Sequence, residues 1–191
     1  GAGIDDQRIR PLARFAAGDQ VAEMNRLLNQ ALRYIGLVIP FAGVAIAVRH
    51  ELVFLVYQRM QFTAADTVAT ADILGFLLLG TVGFAGQTIV NRGFYARQNT
   101  ILPTIYGSLA VLVSLPVYYM GMRFMGARGI GMAIAFSAVA QVLFIYMIWN
   151  RQAANQESAG VYRFYLKMVL WAVPLFLVLN AFQRFVLTIY F

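Results

Sequence analysis

Ile73-Leu74-Gly75-Phe76-Leu77-Leu78-Leu79-Gly80-Thr81-Val82-Gly83-Phe84-Ala85-Gly86-Gln87-Thr88-Ile89-Val90-Asn91 is a long stretch without a single charge. A helix rises about 1.5 Å per residue, so about 20 residues cross the roughly 30 Å hydrocarbon layer of a bilayer. The same rhythm recurs on both sides, at Tyr34–Val48, Gln98–Met122, Gly129–Asn150 and Met168–Gln183, with short, charged loops between. The first and last runs are short. Arg33, Arg163 and Lys167 lengthen them, because their stems can lie in hydrocarbon while their charges reach the lipid surface. The pattern predicts an all-α, polytopic membrane helical bundle with five transmembrane helices, near residues 31–49, 70–92, 101–122, 128–150 and 164–185.

Bulk composition agrees. Hydrophobic residues make up 61% of the 191 residues and charged ones 12%, with a mean hydropathy of +0.69, too apolar for an ordinary soluble domain. One membrane unit is expected, residues 1–191, read as a fragment of a longer protein because it lacks a start methionine and stops inside an apolar run. The net charge of +7 does not point to nucleic acid, since the basic residues sit at span ends and form no dense patch. With no cysteine, disulfides and thiolate metal sites are excluded.

The loops divide that charge unevenly. Arg8, Arg10, Arg14, Arg26, Arg33, Arg92, Arg97, Arg151, Arg163 and Lys167 fall on one side of the predicted topology. Arg49, Arg59, Arg123, Arg128 and Arg184 fall on the other. Lys and Arg resist translocation, so the richer side, with residue 1, is expected to be cytoplasmic.

Residues 1–30 read as a cytoplasmic tail and an amphipathic lead-in. A turn at Gly18-Asp19 closes the tail, with Asp19 as N-cap and Glu23 near the positive helix end. Val21, Met24, Leu28, Ala31 and Ile35 then recur at helical spacing, opposite Gln20, Glu23, Arg26 and Asn29. This stretch is expected to run along the membrane surface before turning into the first span. Leu52–Tyr57 is too short to cross and is expected at the interface. Thr63 is read as an N-cap, with Asp66 a shorter stand-in for the capping-box Glu. Pro40, Pro116 and Pro174 lie inside spans, where each removes a backbone donor; they are candidate hinges, or simply packing features common in membrane helices. Gly80, Gly83 and Gly86 lie three apart and open a shallow groove. Ala133, Ala135, Ser137, Ala138 and Ala140 form a small-residue surface suited to tight contact.

No catalytic set, P-loop or metal cluster can be assembled, and no cofactor or metal is expected. His50 is the only histidine. None of the eight acidic residues lies within an uncharged core; Asp72 comes closest, at the outer end of its span. Proton- or ion-coupled carriers usually keep a carboxylate near mid-membrane.

After the second span comes Asn91-Arg92-Gly93-Phe94-Tyr95-Ala96-Arg97-Gln98-Asn99-Thr100-Ile101-Leu102-Pro103. It resembles the MurJ/MviN family of lipid II flippases, whose cytoplasmic turn carries a Phe-Tyr-Ala/Ser-Arg run, an Asp-Thr pair and a helix-starting proline. Leu12–Asp19, Ile39-Pro40, the external turn Gln58–Thr63 and Gly126–Ala135 resemble further family segments in the same order. The resemblance implies one lobe of a MurJ/MATE-like fold, spans nine to thirteen of fourteen, with the N-terminal lobe missing. It also implies a non-enzymatic function: alternating-access transport of an undecaprenyl-pyrophosphate-linked cell-wall precursor across the bacterial inner membrane. Flipping of another lipid-linked oligosaccharide, drug/cation antiport and a non-transporting scaffold are the alternatives. The cavity arginines of the family belong to earlier helices absent here. Three departures stand out: Met60 for glycine, Asn99 for aspartate, and Tyr118 where asparagine is frequent. With no carboxylate near Tyr118, a cation site of the kind proposed in relatives is not expected.

Arg92, Phe94, Tyr95, Arg97 and Pro103 are the candidate site. Arg92 and Arg97 are read either as an inner-gate contact with a phosphate-bearing lipid or as topology determinants that meet bulk anionic lipid. Phe94 and Tyr95 are read as interfacial anchors.

Overall fold

The computed structural model describes residues 20–57 and 62–190. The expected Gly18-Asp19 turn and cap, the tail before it, and the external turn with Met60 lie outside these residues. Six helices follow one another: α1 (Gln20–Ala47), α2 (Arg49–Tyr57), α3 (Ala64–Ala96), α4 (Ile101–Met125), α5 (Ala127–Gln152) and α6 (Ser158–Tyr190). All but α2 are long and apolar enough to span a bilayer. Each uncharged run falls on one of these five, Tyr34–Val48 running one residue past α1 and Gln98–Met122 starting in the turn before α4.

The helices start and stop where local chemistry dictates. The Thr63 hydroxyl accepts from the Asp66 N–H at 3.3 Å and the Asp66 carboxylate accepts from the Thr63 N–H at 2.9 Å, a complete capping box that starts α3. At the end of α1, the Arg49 guanidinium donates to the Ile46 carbonyl at 2.9 Å, satisfying one orphaned acceptor. Within α1 the helix is interrupted at Leu37, whose N–H bonds the Tyr34 carbonyl at 3.2 Å. Pro40 explains the position: it cannot donate to the Gly36 carbonyl, and its ring crowds that same group. Pro116 and Pro174, in contrast, sit in uninterrupted helix.

The spine of the bundle is the α3–α5 contact, the most extensive between any two helices here. The glycine row of α3 faces the small residues of α5. A Cβ added at Gly80 would lie 3.0 Å from Ala135 Cα, one at Gly83 would lie 2.8 Å from the Ala138 carbonyl carbon, and one at Gly86 would lie 2.9 Å from Val142. The backbones therefore touch. Gly121 of α4 meets Gly129 of α5 in the same way, and Ala133 beside them also faces α4. Ala140 departs from the expected small surface: it is exposed. α1 packs on α6, and α2 on α3.

Halfway along, Gln87 of α3 donates to Gln141 of α5 at 3.2 Å, which in turn donates to the Ser114 hydroxyl of α4 at 3.4 Å. Large apolar side chains mostly face outward, Phe41 and Phe124 at 74% and 76% exposure. This is the inside-out economy of a protein whose solvent is lipid. The chain is a multi-pass membrane protein.

The lead-in departs from expectation. It is continuous with the first span, with no turn before Leu37, and Asn29, assigned to its polar face, is 1% exposed. The facing side chains are themselves polar, so the amide face docks as well as the apolar one.

Gly83→Val should lower the stability of the folded protein by roughly 1–3 kcal/mol, since a rigid backbone lies where its side chain must go. Gly107→Ala, with nothing within 4 Å of the added carbon, should be neutral or stabilising by up to about 1 kcal/mol. Thermal unfolding in detergent separates the two.

Candidate functional site at the basic end

One end of the bundle gathers the start of α1, the α3–α4 turn and the α5–α6 loop. Its apolar centre is Leu28, Val90, Phe94, Ile145, Tyr146, Trp149 and Val161. A hydrogen-bonded amide cluster seals this centre. Asn29 and Asn155 exchange amide hydrogen bonds at 3.0 and 2.9 Å. Tyr146 donates its hydroxyl to Asn29 Oδ1 at 2.8 Å, and Asn155 donates to Asn150 at 2.8 Å. One turn before Asn29, Asn25 accepts from the Trp149 indole N–H at 2.9 Å and donates to the Ala153 carbonyl at 2.9 Å. Asn25, Asn29 and Asn155 are all buried, and each finds partners, as buried amides must.

The motif loop is built against this cluster. Gly93 is required by close approach: a Cβ there would lie 2.7 Å from Leu28 and 3.2 Å from the Trp149 ring. Phe94 meets Trp149 edge-to-face, centroids 5.2 Å apart at 88°. At 1% exposure Phe94 is core, not the interfacial anchor expected from its place in a turn; Trp149 offers it a buried partner on α5. Tyr95 is half exposed. After Ala96 the chain stops in a Schellman turn: Gln98 N–H bonds the Tyr95 carbonyl at 2.9 Å and Asn99 N–H bonds the Phe94 carbonyl at 3.0 Å. Gln98 takes the left-handed conformation, φ 56°, that such a turn demands. Asn99 then caps the next helix, its side-chain oxygen accepting from Leu102 N–H at 3.2 Å. That role needs only an acceptor oxygen, so asparagine serves as well as the family's aspartate. Pro103 is buried in the first turn of α4, where a missing N–H is harmless.

Of the five predicted site residues, the fold thus places Phe94 and Pro103 inside and leaves Arg92, Tyr95 and Arg97 outside. Arg97 lies over the Trp149 ring, its guanidinium carbon 5.7 Å from the centroid. Sequence reasoning missed Trp149, Asn25, Asn150 and Asn155, which belong to no motif; the only signal was the i, i+4 pairing of Asn25 and Asn29.

At the opposite end, Asp72 bridges Arg49 at 3.6 Å and Arg128 at 3.0 Å, tying the α1–α2 junction and the start of α5 to α3. The carboxylate nearest a span core is therefore engaged in holding helices. Between α1 and α6 on one side and α3 and α5 on the other runs a cleft of about 510 Å³, lined by Ile39, Gly43, Val82, Val142, Tyr165 and Phe176 among others. No charged side chain lines it, so it suits hydrocarbon and not a phosphate.

Five helices fit to cross a membrane, with exposed arginines at one end and an ion bridge at the other, define an integral membrane protein. The family described as "Lipid II flippase MurJ" matches residues 11–191, and the chain belongs to that family. It is 28% identical over 153 residues to the probable lipid II flippase MurJ of Rhizobium meliloti (strain 1021), covering 78% of this chain and 29% of that protein. It is 25% identical over 167 residues to the protein so named from Rhizobium tropici, covering 83% and 31%. A third, from Rickettsia prowazekii (strain Madrid E), is 23% identical over 161 residues, covering 83% and 32%. The chain thus spans less than a third of the length of the curated relatives it matches. No solved structure matches it significantly.

Asn29→Leu removes the shared partner of Tyr146 and Asn155 and should destabilise by about 1–3 kcal/mol. Gln30→Leu, whose exposed side chain bonds only Tyr34, should shift stability by less than about 0.5 kcal/mol. Thermal unfolding of the two variants side by side checks this.

Proposed function

We propose that the chain works as part of a carrier that moves a lipid-linked cell-wall precursor, of the undecaprenyl-pyrophosphate type, across the bacterial inner membrane. The carrier makes and breaks no covalent bond. The observation that carries this reading is the family match over nearly the whole chain, with relatives named probable lipid II flippases. The architecture supports it. A substrate with a charged head and a long hydrocarbon tail needs polar contacts at a membrane face and an apolar path beside them. Here exposed guanidinium groups stand at the basic end, and an apolar cleft runs along the helices. Among the described residues the carboxylate closest to a span core, Asp72, is held by two arginines, which speaks against an antiporter that titrates a mid-membrane acid in this part of the protein.

In this reading the small-residue seam makes α3, α4 and α5 one rigid block, and alternating access moves that block against a second lobe. The interrupted turn at Leu37 is the hinge candidate of choice in α1; Pro116 and Pro174 lie in helix with no break. Residue 1 and the basic end face the cytoplasm, following the charge asymmetry.

Depletion of the protein in its host should trap precursor on the inner leaflet, as measured by a leaflet-specific assay of lipid-linked precursor; undiminished translocation would refute the carrier reading. Orientation is checked separately. A cysteine at Gln98 should react with an impermeant thiol reagent only after the cells are opened, and one at Ala127 in intact spheroplasts.

A further inference from the structure

We propose that Trp149 is a positioning residue for Arg97, and that the two form a recognition point for the phosphate of a lipid head. The inference rests on the carrier reading above and adds to it a residue and a ligand chemistry.

Trp149 is fully buried and cannot turn. Its N–H is fixed by Asn25 at 2.9 Å, the Phe94 edge meets it at 88°, and Gly93 lies against its six-membered ring. The Arg97 guanidinium carbon lies over this fixed ring, 5.7 Å from its centroid. Arg97 itself closes α3: its N–H bonds the Gly93 and Phe94 carbonyls, and the Schellman turn that follows fixes where its side chain leaves the backbone. Among the described residues the ion pairs are those of Arg49 and Arg128 with Asp72, and Arg97 is in none of them. At 5.7 Å the contact is a cation–π one and not a close flat stack, and the exposed guanidinium keeps the forked N–H groups that grip two oxygens of a phosphate at once. An arginine that served only to set topology would gain nothing from a buried, hydrogen-bonded indole beneath it.

The test uses the full-length protein in nanodiscs and measures the affinity for a polyprenyl diphosphate and for the matching polyprenyl alcohol. Wild type should prefer the diphosphate. Arg97→Gln should weaken diphosphate binding about tenfold and Trp149→Leu about three- to tenfold, with alcohol binding unchanged. The double variant should be no weaker than Arg97→Gln alone, and Trp149→Phe should stay within about threefold of wild type. If the two losses multiply, or if Arg97→Gln binds like wild type, the inference is overturned. Should Trp149→Leu fail to fold, Arg97→Lys decides, since lysine keeps the charge but has no forked donors: a loss like that of glutamine supports the inference, and full binding overturns it. The depletion assay tests the carrier reading independently, so a wild type that translocates precursor yet ignores the diphosphate defeats this inference alone.

Discussion

Everything in this bundle depends on how closely α3 and α5 approach. In lipid, apolar side chains gain nothing by leaving solvent for a neighbouring helix, so association has to come from dispersion contact between surfaces that fit. Gly80, Gly83 and Gly86 against Ala135, Ala138 and Val142 provide that fit by removing side chains until backbone meets backbone. Gly121 against Gly129 extends the same solution to α4. Once these three helices are fixed, the Gln87–Gln141–Ser114 chain sets their register and the ends can be built with polar groups. The two ends then differ in kind, one closed by amides around an aromatic core and the other by a carboxylate between two arginines.

The motif loop reads differently once its neighbours are known. Most of its chemistry is architectural: Gly93 makes room, Phe94 fills the core, Asn99 caps a helix and Pro103 starts one. Arg92, Tyr95 and Arg97 stay exposed, and in the proposed reading they are what is left for recognition.

The five spans were legible because each is a long run with no charge, a signal that depends on length and composition alone. The Thr63–Asp66 box was legible because capping is local. The small-residue faces were visible one at a time, but not which face meets which, since pairing is a property of three dimensions. The amide cluster was hidden for a more specific reason. Helical periodicity counts asparagine as polar and assigns it to solvent, so Asn29 was placed on the wrong side. An amide is welcome inside when its partners are other amides, and Asn150 and Asn155 lie far along the chain. Phe94 was misplaced likewise: turns near span ends usually hold aromatic residues at the lipid surface, and nothing local announces a tryptophan waiting on α5.

The Asn29–Asn155 pair joins residues 126 positions apart. A ribosome adding about 5–20 residues each second needs on the order of ten seconds to bridge that gap. For all that time α1 has been made while its amides lack the mates they find in the fold. At the edge of the bilayer, water can serve them meanwhile, whereas at its centre nothing could. The clasp therefore sits where a half-made chain can afford to wait, and a loop made well after α1 is the one that fastens that helix down.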